Sequence, residues 1–140
     1  MIPVQSIAES LGVSDSVRTL SDLDSVVSCC LSKKALERFA SWLYRDHRAA
    51  TTFRSSVVPP AIWKRGEKKL LPQASEQTVR LARLMALAEY ALNDREQVCA
   101  WLKSPHRELG DRTPLDAART EAGGRWAEGV IFRLFFGLPA

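Results

Sequence analysis

Apolar positions in this chain recur in steps of three and four, the spacing that turns one side of an α-helix toward a core. The first clear case is Ala35, Leu36, Phe39, Ala40 and Leu43, which predicts a helix with Ser32 as its N-cap. Ala49, Ala50 and Phe53 predict a second, short helical piece. The chain then breaks at Val57-Val58-Pro59-Pro60, where Pro60 suits the start of a new helix because the first turn does not use its missing N–H. That helix is expected to carry Ile62 and Trp63 on one side and Lys64, Arg65, Lys68 and Lys69 around the other, shortened or frayed at Gly66, with Pro72 ending this part of the chain. The longest helix is expected over 75–92, with Ser75 as N-cap, Glu76 in its first turn and an apolar stripe of Val79, Leu81, Leu84, Met85, Leu87, Ala88 and Ala91.

Asp94, with Gln97 three positions on, reads as a capping box that opens a helix holding Val98, Trp101 and Leu102. A loop leads to Thr113-Pro114-Leu115-Asp116, where a hydroxyl cap, a first-position proline and a first-turn acid form a helix start. The short helix through Ala117 and Ala118 is expected to meet Gly123-Gly124, after which Trp126, Val130, Ile131, Leu134 and Phe135 make a terminal amphipathic helix. Residues 1–30 lack a sustained period and read as an N-terminal arm or short helix. No stretch alternates like a strand, so the expected class is all-α, in two packed groups.

A chain of 140 residues with 46% hydrophobic and 26% charged positions folds as one ordinary core or two very small ones. A multi-domain enzyme with a large substrate cleft is not expected. No apolar run approaches the roughly 20 residues of a membrane span, and the first residues lack a signal-peptide pattern, so a cytoplasmic protein is expected. Cys29 and Cys30 are adjacent and Cys99 is distant, an odd set that suits free thiols, with Cys99 in the core.

The net charge of +4 is unevenly spread. Residues 31–83 carry twelve Lys or Arg against four acids, whereas 1–30 and 84–140 are slightly acidic. A phosphate backbone would be met by the middle segment, and Arg54, Lys64, Arg65, Lys68 and Lys69 are the candidate DNA-binding residues. Helices and basic residues around a proline-marked turn invite a helix-turn-helix reading, with Trp63 as a core or interface residue. The two histidines, His47 and His106, have no partner pattern and read as surface residues. No nucleophile elbow, phosphate loop or zinc motif is present, so no catalytic residue, metal or cofactor is expected and the chain is not read as an enzyme.

The C-terminal half is more specific. The run Arg80-Leu81-Ala82-Arg83-Leu84-Met85-Ala86-Leu87-Ala88-Glu89, then Trp101-Leu102-Lys103-Ser104-Pro105, then Leu109-Gly110-Asp111-Arg112-Thr113-Pro114-Leu115-Asp116 resembles the Xre/MbcA/ParS toxin-binding domain. Thr120-Glu121-Ala122-Gly123-Gly124-Arg125 and the closing Gly137-Leu138-Pro139-Ala140 are similar to that family's end. The resemblance is close from 75 to the terminus and looser over 31–75. Two departures stand out: many relatives have Asn after the proline and a second Gly after Leu-Gly, where this chain has His106 and Asp111.

The resemblance implies an antitoxin built from an N-terminal arm (1–30), an Xre-like helix-turn-helix half (31–74) and a small helical toxin-binding domain (75–140). Its partners would be operator DNA and a RES-type, NAD-consuming toxin whose active site it covers. The toxin-binding candidates are Arg112, Thr113, Arg125, Arg133, Phe136, Gly137, Leu138, Pro139 and Ala140. A homodimer is expected, because a two-fold operator is matched by a two-fold protein and because Trp42, Phe53 and Trp63 exceed what so small a segment easily buries. The competing expectation is a free-standing DNA-binding regulator whose C-terminal half only dimerises.

Overall fold

The computed structural model describes residues 7, 19–22, 30–135 and 137. Most of the N-terminal arm, and Phe136, Leu138, Pro139 and Ala140, lie outside the described residues. Among the described residues, seven α-helices and one 3-10 turn follow one another over 33–135 and there is no strand, so the fold is all-α. The chain divides into two compact units between Val79 and Arg80.

In the first unit, α1 (Lys33–Leu43) buries Ala35, Leu36, Phe39, Ala40 and Leu43, the five positions its period singled out. The α2 helix (His47–Val57) starts where the Asp46 carboxylate accepts the Ala49 N–H at 3.1 Å. Phe53 of α2 lies 5.9 Å from the Phe39 ring and 5.8 Å from Tyr44. Pro60 opens α3, which has only four residues, Pro60–Trp63.

The basic residues do not ring that helix as expected. Gly66 turns the chain with φ +80°, and the following segment is extended. There the Lys33 N–H donates to the Lys68 carbonyl and the Leu70 N–H to the Leu31 carbonyl, both at 2.8 Å, with Ser32 opposite Lys69. This pairing satisfies an N–H that a helix end otherwise leaves open. Ser32 accordingly holds the N-cap position of α1 without a side-chain cap bond. Trp63 is covered by the Lys33 ammonium, 5.0 Å from its ring centroid, and by the Arg54 guanidinium at 4.3 Å. Phe53 and Trp63 thus have partners within the chain.

The longest helix, α4, runs Pro72–Leu92. Its start lies a turn earlier than expected, because Pro72 takes the first helical position and Ser75 falls inside. Ser75 is fully buried, and its Oγ accepts the Leu31 N–H at 2.9 Å instead of capping its own helix. Asn93 closes α4 in the left-handed region at φ +53°, its N–H on the Glu89 carbonyl at 2.7 Å.

In the second unit, α5 (Arg95–Lys103) is capped by Asp94, which accepts the Glu96 N–H at 3.2 Å, and buries Val98, Cys99, Trp101 and Leu102. A 3-10 turn (Arg107–Leu109) leads to α6 (Pro114–Ala117) and then α7 (Glu121–Phe135). Leu81, Leu84 and Met85 of α4, Leu109, and Val130 and Ile131 of α7 are at most 1% exposed. Each such side chain contributes about 1.5–3 kcal/mol by leaving water. Gly123 and Gly124 do not separate two helices: both lie in the first turn of α7, where the Thr120 hydroxyl accepts the Gly123 N–H at 3.0 Å.

Candidate functional site

The second unit presents a surface built from the 3-10 turn, its closing loop and α7. The loop is fixed by backbone bonds. His106 N–H donates to the Arg112 carbonyl at 3.1 Å, and Asp111 N–H returns to the His106 carbonyl at 3.0 Å. Gly110 and Asp111 both take left-handed conformations, φ +69° and +63°. Glycine adopts that region without steric cost and aspartate tolerates it. His106 is not the surface histidine expected. It stacks on Trp101 with centroids 5.1 Å apart, and its Nε2 lies 2.8 Å from the Trp101 carbonyl, which ties the loop to α5.

This loop aims Arg112. Its Nε donates to the Leu109 carbonyl at 3.2 Å, and its guanidinium lies 5.3 Å from the Trp126 ring centroid. Trp126 remains 46% exposed, so the pair forms a cationic and aromatic platform open to solvent. Trp126 and Arg133 are seven residues apart and share one side of α7, with Leu134 next to them and 51% exposed. Phe135 is also exposed, but its edge faces Trp101 at 6.5 Å.

The remaining candidates divide by partner. The Thr113 hydroxyl is committed to the Asp116 N–H at 3.1 Å, making Thr113 the cap of α6. Arg125 pairs with Glu121 at 3.1 Å. Arg133 is exposed, and so is Gly137, at φ +64°. In the first unit, Lys64, Arg65, Lys68 and Lys69 are all exposed around the Gly66 turn, whereas Arg54 is half-buried against Trp63.

Sequence reading missed the Arg80–Arg83 pair, which stands three residues apart on α4 and faces α7. Arg80 donates from Nη1 to the carbonyls of Ala118 at 2.9 Å and Arg119 at 3.1 Å, and from Nε to Glu121 at 3.1 Å. One side chain thereby satisfies the end of α6 and joins the first turn of α7. Arg83 bonds Glu128 at 2.6 Å and lies 3.5 Å from Glu121. Burial works against the charged Arg83, yet Glu128, by hydrogen bond and Coulomb attraction, and then Glu121 outweigh it and raise its pKa. The Arg80 hydrogen bond, followed by those of Arg125 and the charge of Arg83, lowers Glu121 below its ordinary 4.5 despite some desolvation.

A carboxyl whose pKa falls on folding stabilises the fold above its unfolded value and loses that effect as pH drops through the folded value. Wild type should therefore melt above Glu121→Gln at neutral pH, with the gap closing as the pH is taken well below 4.5. The effect is modest, because Glu121 is half exposed and water screens it. A gap that persists undiminished in strong acid would show that the carboxylate charge is not the cause.

Among the described residues no helix is long and apolar enough to cross a membrane, and no group of three His, Cys, Asp or Glu could hold a metal. Residues 86–125 match the family model described as the antitoxin Xre/MbcA/ParS C-terminal toxin-binding domain. The matched segment begins in α4 and ends in the second turn of α7, so it includes Arg112, Thr113 and Arg125 but not Arg133 or the terminal residues. No curated protein matches the chain.

Proposed function

With residues 86–125 matching a toxin-binding domain of the Xre/MbcA/ParS antitoxins, we propose that this chain neutralises a RES-type, NAD-consuming toxin by covering its active site. The observation that carries the reading is the exposed Arg112–Trp126 platform, continued along α7 by Arg133 and Leu134. Large apolar side chains held at a folded surface and rimmed by cations are what a stable protein partner covers. The terminal segment after α7 would enter the toxin's concave site. The test is to titrate purified chain, and a form lacking residues 137–140, into the toxin while following NAD consumption. Full-length chain should abolish turnover at a fixed stoichiometry, and the truncated form should bind yet inhibit poorly. Full binding of the intact chain with undiminished NAD turnover would overturn occlusion.

A second activity, repression of its own operon by a dimer of this chain, is supported by the basic middle segment and by the exposed Lys64, Arg65, Lys68 and Lys69. These residues surround a turn and not a groove-length helix, a placement that favours phosphate contacts over base reading. Neutralising all four should weaken promoter binding and reduce the salt slope by about 0.9 for each DNA phosphate that the variant no longer neutralises. Unchanged affinity and slope would place the DNA surface elsewhere.

A further inference from the structure

One residue of α1 holds both ends of the basic loop. The Lys33 ammonium donates to the Trp63 carbonyl at 2.6 Å, immediately before Lys64, and the Lys33 backbone N–H donates to the Lys68 carbonyl at 2.8 Å. The loop 64–68 is thereby closed on a single side chain and its own main chain. Within it, the Lys64 N–H bonds the Pro60 carbonyl at 3.0 Å and the Arg65 N–H the Ile62 carbonyl at 3.2 Å, which continues the turn of α3 until Gly66 reverses it at φ +80°. The Trp63 ring, 5.0 Å from the Lys33 ammonium and 4.3 Å from the Arg54 guanidinium, fixes where the loop leaves α3.

Residues 64–69 carry four cations and one acid, and like charges so close together repel, so a loop free at either end would splay. Ordering a splayed loop on a ligand costs conformational freedom, and holding it beforehand avoids that loss. Lys33 is half-buried with its ammonium on a carbonyl and near a ring, whereas Lys64, Arg65, Lys68 and Lys69 are exposed. We infer that Lys33 is a positioning residue for DNA contact: it does not meet a phosphate itself, but holds the loop 64–68 in the conformation that lets the four cations meet the duplex backbone. The inference rests on the DNA reading above.

The experiment measures binding of the full chain to a short mixed-sequence DNA duplex across a salt series. Lys33→Met should bind roughly tenfold more weakly at every salt concentration with an unchanged slope, whereas loss of a phosphate contact would reduce the slope by about 0.9. NMR relaxation of the same variant should show the 64–68 amides more mobile while those of α1 and α2 stay ordered. Lys33→Arg keeps the charge and the donors and should restore wild-type binding. Lys34→Met, at the exposed neighbouring position, removes the same charge without touching the clamp and should bind nearly as wild type does. Gly66→Ala leaves Lys33 and every cation in place, and its Cβ would meet nothing within 4 Å, so it disturbs only the left-handed turn; it too should weaken binding at constant slope. If Lys33→Met loses its cooperative melt, Gly66→Ala decides the matter. A slope reduced by one contact in Lys33→Met, an equal loss in Lys34→Met, or wild-type affinity in a folded Lys33→Met or in Gly66→Ala would overturn the inference and leave the DNA reading standing. A wild-type chain that binds no duplex would defeat that reading, and the inference with it.

Discussion

Gly123→Ala should unfold or severely loosen the second unit, although alanine is the better helix former by about 1 kcal/mol. A Cβ at this position would lie 1.9 Å from the Ala117 carbonyl oxygen and 2.9 Å from its carbon. Both are backbone atoms of α6, and Ala117 and Ala118 are at most 1% exposed, so neither side can give way without moving the core. The clash exceeds ordinary overpacking, whose cost is about 1–3 kcal/mol. At about 4–8 °C per kcal/mol for a unit of this size, the melting temperature should fall by more than about 10 °C. Gly124→Ala provides the contrast. Its Cβ would meet Arg80 Cδ at 2.8 Å, a side-chain atom that can shift at the expense of the Arg80 hydrogen bonds. A smaller loss is expected there. Thermal melts that rank Gly124→Ala as the more harmful change, or show Gly123→Ala unaffected, would contradict this packing account.

The double substitution Trp126→Ala, Leu134→Asp should abolish neutralisation while sparing the fold. Both side chains are about half exposed, so removing them takes little from the core. Trp126 also organises Arg112, and its loss frees the guanidinium from the geometry a partner would meet. Central aromatic and arginine residues each carry about 2 kcal/mol or more at protein interfaces, so toxin affinity should fall by roughly a hundredfold. Phe135 is left in place because it faces Trp101 and its removal would confuse packing with binding. The measurements are a melting curve, expected to move by only a few degrees on the scale of surface substitutions, and rescue of cells expressing the toxin. A folded double variant that still rescues them would place the toxin surface elsewhere.

What could be read from the chain alone was local. The buried face of α1, the Asp94 cap and the Thr113-Pro114 start follow from period and capping, which involve residues within one or two turns. The ordered motif over 101–116 likewise lies within one stretch, which is why the resemblance to a toxin-binding domain is legible from residue order alone.

Other features were decided by residues far apart in the chain. Ser75 has the sequence signature of a cap, yet a backbone N–H forty-four residues away claims its hydroxyl. Gly123-Gly124 reads as a break, yet the close approach of Ala117 makes the first glycine a packing requirement inside a helix. Lys68 and Lys69 continue a basic helix by their spacing, but pairing of 68–70 with 31–33 draws them into an extended segment. Arg80 looks like one more cation on α4 until the open carbonyls of Ala118 and Arg119 arrive beside it. Helical period and caps act within a turn or two of chain, so sequence alone could place most of the helices; which open carbonyl, hydroxyl or missing Cβ meets which neighbour depends on how those helices pack, and only the tertiary structure decides that.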